Sequence, residues 1–130
     1  VYEPDNPADV DDRLVQMGFF ESSRLVAAKA NMLNASLKRD FTVDWWLFEE
    51  FDLYFDYSKI FKDEAAFADS ELINPGAVLR AGPFYLWLDF MWGKNAWFFN
   101  DGPDSSGPGA GARNPDKFEY RQNLSIEWFF

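Results

Sequence analysis

The residues able to do chemistry are carboxylates. Asp44, Glu49, Glu50, Asp52 and Asp56 crowd into one stretch. A pair of carboxylates is enough for glycoside hydrolysis, one as acid and the other as base or nucleophile. The stretch carries no spacing signature for that reaction, and its ordinary reading is the solvated side of an amphipathic helix. Residues 44–71 hold nine acids against Lys59 and Lys62. A basic face on a partner protein is therefore a better-matched target than a substrate. A second oxygen-rich group, Asn100, Asp101, Asp104, Ser105 and Ser106, could surround calcium, but the EF-hand register is absent. Gly107, Gly109 and Gly111 follow no strand and open no clear helix, so they make no dinucleotide fingerprint.

What is missing narrows the chemistry further. The chain has no Cys and no His. That removes disulfides, thiolate nucleophiles, Cys-type zinc sites and the commonest general base and metal ligand. Catalytic and metal-ligating residues are accordingly expected to be none, and the chain is expected not to be an enzyme. The net charge of −10 and pI near 4.3 exclude nucleic acid as a natural partner, because that affinity comes from Lys and Arg on phosphates. They also disfavour docking on anionic lipid by charge alone. The sequons at Asn34-Ala35-Ser36 and Asn123-Leu124-Ser125 are short enough to arise by chance.

The elements that would position any site are unusually aromatic. Aromatic residues make up 20% of 130 residues, and each brings roughly 150–250 Å² to be buried. One domain, residues 1–130, has limited interior for them. The densest stretch, residues 82–99, holds three Trp, four Phe and a Tyr. It is too short and too charged for a helical membrane span. A surplus of this kind predicts exposed patches that bind something.

Periodicity predicts a mainly α fold: a small helical domain with an aromatic-rich helix, a Gly/Pro-rich loop and an extended C-terminal strand or arm. Asn6-Pro7 reads as a helix cap and first turn, with Val10, Leu14, Val15 and Met17 as a stripe. Residues 19–40 continue as a second helix, with Leu25, Ala28, Met32 and Ala35 at helical spacing. Residues 42–61 fit a helix through Leu47, Phe48, Phe51, Tyr54 and Phe55, or a strand alternating Phe51, Leu53, Phe55 and Tyr57 with acids. Length and the scarcity of Asp in strands favour the helix. A short helix follows over 63–72, capped by Asp63, then a turn at Asn74-Pro75-Gly76. Gly82-Pro83 opens the aromatic helix, which breaks near Gly93. Residues 100–115 are the Gly/Pro-rich loop. Residues 116–130 form the arm. Within it Phe118, Tyr120, Gln122, Leu124, Ile126 and Trp128 alternate with Glu119, Arg121, Asn123, Ser125 and Glu127, which is strand periodicity.

These features point to a non-catalytic accessory subunit that docks by aromatic surfaces and its C-terminal arm onto a larger assembly. The expected interface is Trp87, Trp92, Trp97, Phe98, Phe99, Trp128, Phe129 and Phe130. A chain that begins at Val1 rather than Met, acidic and Cys-free, suits a processed organellar subunit peripheral to a membrane. By analogy of type it is placed with a photosystem and light-harvesting assembly at the thylakoid, with the mitochondrion as alternative. No cofactor is required. Chlorophyll or carotenoid could contact the aromatics through non-His ligands. The competing expectations are a carbohydrate-binding module with an aromatic platform and a small pigment- or apolar-ligand-binding protein.

Overall fold

The two-residue period found at the C-terminus runs through most of the chain. The computed structural model describes residues 5, 12–19, 22–65, 67–96, 99 and 117–130. Its elements are β1 (Leu14–Phe19), β2 (Ser22–Ala27), β3 (Ala30–Trp45), β4 (Phe48–Lys62), β5 (Ser70–Ala81), β6 (Phe84–Lys94) and β7 (Phe118–Trp128). β1 and β2 form an antiparallel pair, with Leu14 opposite Ala27 and Phe19 opposite Ser22. The other five make one antiparallel sheet in the order β3-β4-β5-β6-β7.

The mainly α expectation is overturned, because no helix occurs among the described residues. Leu14, Val15 and Met17 lie in β1; residues 19–40 break into β2 and β3. Residues 42–61 take the alternating reading as the end of β3 and most of β4. Asp is depleted in strands when averaged over all faces. Here Asp52, Tyr54 and Asp56 fall at every second position, alternating with Leu53, Phe55 and Tyr57, so the two acids share one face and leave the other apolar. The 63–72 helix is bends and turns that lead into β5. Asn74-Pro75-Gly76 does not turn; it lies inside β5. Gly82-Pro83, expected to start a helix, is instead the turn between β5 and β6. The aromatic stretch is therefore mostly β6. The C-terminal arm is a strand, β7, as its alternation implies. The residues 1–12 cap and the 100–115 loop lie outside the described residues, apart from Asp5 and Asp12.

The chain divides into two compact units. The first comprises Val1–Leu33, Lys59–Glu71 and Gly93–Glu119. Leu14, Phe67, Ala96 and Phe99 are its buried apolar side chains. Gly93 is required there, because a Cβ would overlap the Phe99 ring. Ser70 Oγ donates to the Asn95 carbonyl at 2.5 Å, and Asn95 Nδ2 donates to the Asp69 carbonyl at 2.9 Å.

The second unit comprises Asn34–Ser58, Leu72–Trp92 and Tyr120–Phe130. It holds the longer part of the five-stranded sheet. β3 and β4 join through a two-residue turn at Trp46-Leu47, and β5 and β6 through Gly82-Pro83. Gly82 has φ +56°, open to glycine without cost, and Trp46 has φ 56°, where a bulky side chain is uncommon. The connections at the other strand ends are longer, residues 63–69 and 95–117.

Gly76 lies under Tyr54, and a Cβ there would overlap the phenol ring. Gly76→Ala should therefore cost about 1–3 kcal/mol by overpacking. Thermal unfolding followed by circular dichroism measures it, with the parent's midpoint in the variant as the contradicting result.

Candidate functional site

Pleating sorts the side chains of the second unit onto two faces. The polar face is defined by bonds between strands. Lys38 Nζ pairs with Asp40 at 3.0 Å and Asp52 at 2.9 Å. Ser36 Oγ donates to Asp56, and Ser58 Oγ donates to Asn34 Oδ1 at 2.7 Å. Arg80 pairs with Glu50 at 3.1 Å. On β3 and β4 these are all even-numbered positions, so the same side of the sheet carries Asn34, Ser36, Lys38 and Asp40 beside Glu50, Asp52, Tyr54, Asp56 and Ser58.

Asp89 of β6 is the centre of this face. Tyr54 Oη of β4 donates to Asp89 Oδ1. Asn74 Nδ2 of β5 donates to the same oxygen at 3.3 Å, and Asn123 Nδ2 of β7 donates to Oδ2 at 3.0 Å. One carboxylate thus joins β4, β5 and β7 to β6. Burial would raise the Asp89 pKa, but the hydrogen bonds from Tyr54, Asn123 and Asn74 outweigh it and hold the group below its ordinary value. The Tyr54 phenol is pushed up, first by burial and then by its bond to the Asp89 carboxylate. Each shift favours the observed pair, an ionised Asp89 and a neutral Tyr54.

The opposite face is apolar and uncovered. On β6 it carries Phe84, Leu86, Leu88, Phe90 and Trp92; on β7 it carries Tyr120, Gln122, Leu124, Ile126 and Trp128. Phe84 stacks on Trp128 at 6.1 Å between centroids, and Trp92 meets Tyr120 at 5.0 Å. Phe41 of β3 meets Phe51 of β4 at 5.9 Å. Ile73, Pro75, Ala77 and Leu79 continue the face on β5, and Leu53, Phe55 and Tyr57 on β4. Leu124 is 63% exposed, Ile126 71% and Trp128 62%. Side chains of this kind, contiguous and exposed, mark a surface that meets something apolar.

Of the eight expected interface residues, the six that are described do not share one face. Trp92 and Trp128 lie on the apolar face, and Phe130 packs 5.5 Å from Trp128 while fully exposed. Trp87 shares the polar side of β6 with Asp89, and Phe129 meets Tyr85 edge-on at 5.2 Å. Phe99 is buried in the first unit. Trp97 and Phe98 lie outside the described residues. Sequence reasoning missed Tyr54, Asn74, Asp89 and Asn123, as well as the aliphatic members Leu86, Leu88, Leu124 and Ile126. The available signal is the alternation of β4 and β7; β6 shows only Asp89 as the charged break in an apolar run.

Among the described residues no group of three or more His, Cys, Asp or Glu is placed to hold a metal ion. The first unit has an open cavity of about 520 Å³ lined by Lys59, Lys62, Asp63, Glu64, Asp69 and Glu71. The second unit has one of about 690 Å³ between its two tight turns, lined by Val43, Trp46, Phe48, Pro83 and Phe84. Neither gathers a nucleophile with a base.

Removing the Asp89 acceptor strands three donors. Asp89→Ala should cost about 2–3 kcal/mol, read as a lower unfolding midpoint at neutral pH. The unfolded chain protonates Asp89 near its ordinary value of about 4 and the folded chain protonates it lower. Its stabilisation is therefore complete above about pH 4 and is lost as pH falls through the folded value. Asp89→Asn should flatten that acid limb; an unchanged acid limb would contradict the assignment. No protein-family model matches this chain, and neither a curated protein nor a solved structure does.

Proposed function

We propose that the five-stranded sheet is a stretch of membrane-spanning β-barrel wall, with its apolar face against acyl chains and its polar face toward an aqueous passage. The observation that carries this is where the aromatics sit on the uncovered face. Along β6 they occupy the ends, Phe84 at one and Phe90 and Trp92 at the other, with Leu86 and Leu88 between. Along β7 Trp128 and Tyr120 occupy the ends, with Gln122, Leu124 and Ile126 between. Aromatic girdles flanking an aliphatic band are the pattern of outer-membrane-type strands, whose band is about 25 Å tall. From Phe84 to Trp92 at about 3.4 Å per residue is roughly 27 Å of strand, or about 21 Å of height at a 40° tilt.

Strand lengths and connections support the same reading. β3 to β7 have 16, 15, 12, 11 and 11 residues, against the about 9–11 a tilted strand needs to cross. Tight turns join the strands at one end and longer connections at the other, as in such barrels. Of the charged residues on the apolar face of this unit, Glu49 sits beside the tight turn; Arg39 does not fit the pattern, because it lies inside β3 with its guanidinium 5.1 Å from the Phe41 ring. No helix among the described residues is long and apolar enough to cross a membrane, a fact that leaves strands untouched.

Membrane association, first expected as peripheral docking, becomes integral in this reading. The accessory-subunit reading puts the same face against a protein neighbour. Protein interfaces gather their aromatics at the centre of the patch; on β6 and β7 the centre is mostly Leu and Ile, while Phe51 and Phe55 lie mid-strand on β4. The girdle pattern suits outer-membrane-type bilayers, whether bacterial or organellar; no feature of the fold singles out a photosystem or a thylakoid.

Leu88 lies mid-band on β6 and Ser125 on the polar side of β7. Leu88→Arg should destabilise the membrane-folded state by about 2–4 kcal/mol, while Ser125→Arg should change it by less than about 1 kcal/mol. Denaturant titration in lipid vesicles measures both. Equal effects, or a purified chain that folds without lipid or detergent, would contradict the assignment.

A further inference from the structure

The two tight turns of the second unit differ at the position where their backbones agree. Each holds its first residue at φ 56°, Gly82 in the turn from β5 to β6 and Trp46 in the turn from β3 to β4. Glycine takes that conformation without cost and is the residue such turns favour. A bulky side chain there strains the backbone, and strain of this kind collects at functional sites. Trp46 is 83% exposed, so burial of its ring does not offset the strain. Its side chain lines the open cavity of about 690 Å³ between the two turns.

The lining of that cavity sets the chemistry of an occupant. Trp46, Phe48 and Phe84 supply aromatic surface, and Asp44 and Glu49 supply two carboxylates. No Lys or Arg lines it, so an anion finds no counter-charge there. Among the described residues neither carboxylate has a hydrogen bond or an ion pair. Arg80, whose charge reaches Glu49, is already paired with Glu50 at 3.1 Å. A neutral apolar guest would strip water from both carboxylates and give nothing back. A hard metal ion needs about six or more oxygen ligands, and no group of three His, Cys, Asp or Glu is placed for one among the described residues. A positive charge spread over carbon satisfies the whole lining. Aromatic faces attract it through their quadrupoles, as in cages for quaternary ammonium groups, and the carboxylates neutralise it. The volume falls within the about 300–1,000 Å³ of small-molecule sites.

We propose that this cavity binds an alkylated ammonium group, with Trp46, Phe48 and Phe84 around the cation and Asp44 and Glu49 as its counter-charge. The strained indole is kept because it forms one wall of the site. All five residues belong to the second unit, so the site does not depend on the membrane reading. A phosphocholine lipid headgroup and a free alkylated amine offer the same chemistry, and the experiment separates them.

The probe is choline, titrated by calorimetry into the full chain folded in phosphatidylglycerol vesicles, which carry no ammonium group, with protein-free vesicles as the blank. A chain that folds without lipid, the separate failure of the membrane reading, is titrated in buffer alone. Choline should bind saturably, and its neutral isostere dimethylbutanol, with carbon in place of nitrogen, at least about ten-fold more weakly. Asp44→Asn combined with Glu49→Gln should weaken choline by a similar factor. Trp46→Gly should weaken it too while raising the unfolding midpoint, because one change removes both the wall and the strain. In phosphatidylcholine vesicles, loss of the choline heat assigns the site to the lipid headgroup, and its retention assigns the site to a free amine. No saturable binding in phosphatidylglycerol vesicles or buffer would overturn the proposal. So would an isostere that binds as tightly as choline, or choline affinity left intact by Trp46→Gly or by the double carboxylate variant.

Discussion

A single carboxylate keeps four strands in step. Asp89 receives Tyr54, Asn74 and Asn123 from three neighbouring elements, and each of those bonds exists in one register only. The side-chain period of a strand is two, so a slip of one residue would send every side chain to the wrong face. Such a slip would put Leu124 and Ile126 among the acids and Glu127 in the apolar band. Gly76 belongs to the same constraint, since its missing Cβ is what lets the Tyr54 ring lie across β5 to reach Asp89. Charge-assisted hydrogen bonds are strongest away from bulk water, and the opposed shifts of Tyr54 and Asp89 show the pair to be favoured as a neutral donor and an ionised acceptor.

The two faces then divide the work. The polar face is laterally bonded, through Lys38 with Asp52, Arg80 with Glu50 and Ser58 with Asn34, while Asn74 Oδ1, Arg80 Nε and Trp87 Nε1 are buried without a hydrogen-bond partner. It keeps carboxylates in excess, in line with the chain's net charge of −10. The apolar face makes few demands beyond being covered. In water a sheet of this size normally buries one face on a core. Here the second unit consists of this one sheet, and its apolar side chains remain exposed. In the proposed membrane reading, bilayer hydrocarbon would resolve that imbalance without a second protein layer.

Much of this was legible in the residues, though not by the route that length suggests. The alternation of Phe118 through Trp128 marks β7 correctly. The same alternation is present in Phe51, Leu53, Phe55 and Tyr57, whereas Phe84 through Trp92 is an apolar run broken only by Asp89. On β4 the alternation was outweighed by the length of the stretch and by Asp in positions that soluble strands avoid. Both arguments weaken when the polar side of a strand faces water in a passage and the strand has a bilayer to cross. Pro75 inside β5 and Trp46-Leu47 as a hairpin turn run against local preference, so local rules placed the turn at residues 74–76, eight positions before Gly82. The Asp89 cluster was not legible. Tyr54, Asn74, Asp89 and Asn123 are far apart in sequence, and only the order of the strands brings them together.

The claim that the faces meet different solvents is tested most directly by spin labels placed singly along β6, from Phe84 to Trp92, in the lipid-reconstituted protein. The Cys-free sequence makes each label unique. Even-numbered positions should be relaxed by oxygen, which dissolves in lipid, and odd-numbered ones by a polar nickel chelate, with the oxygen effect greatest at Leu88. Chelate access at both parities, or at neither, would contradict the account.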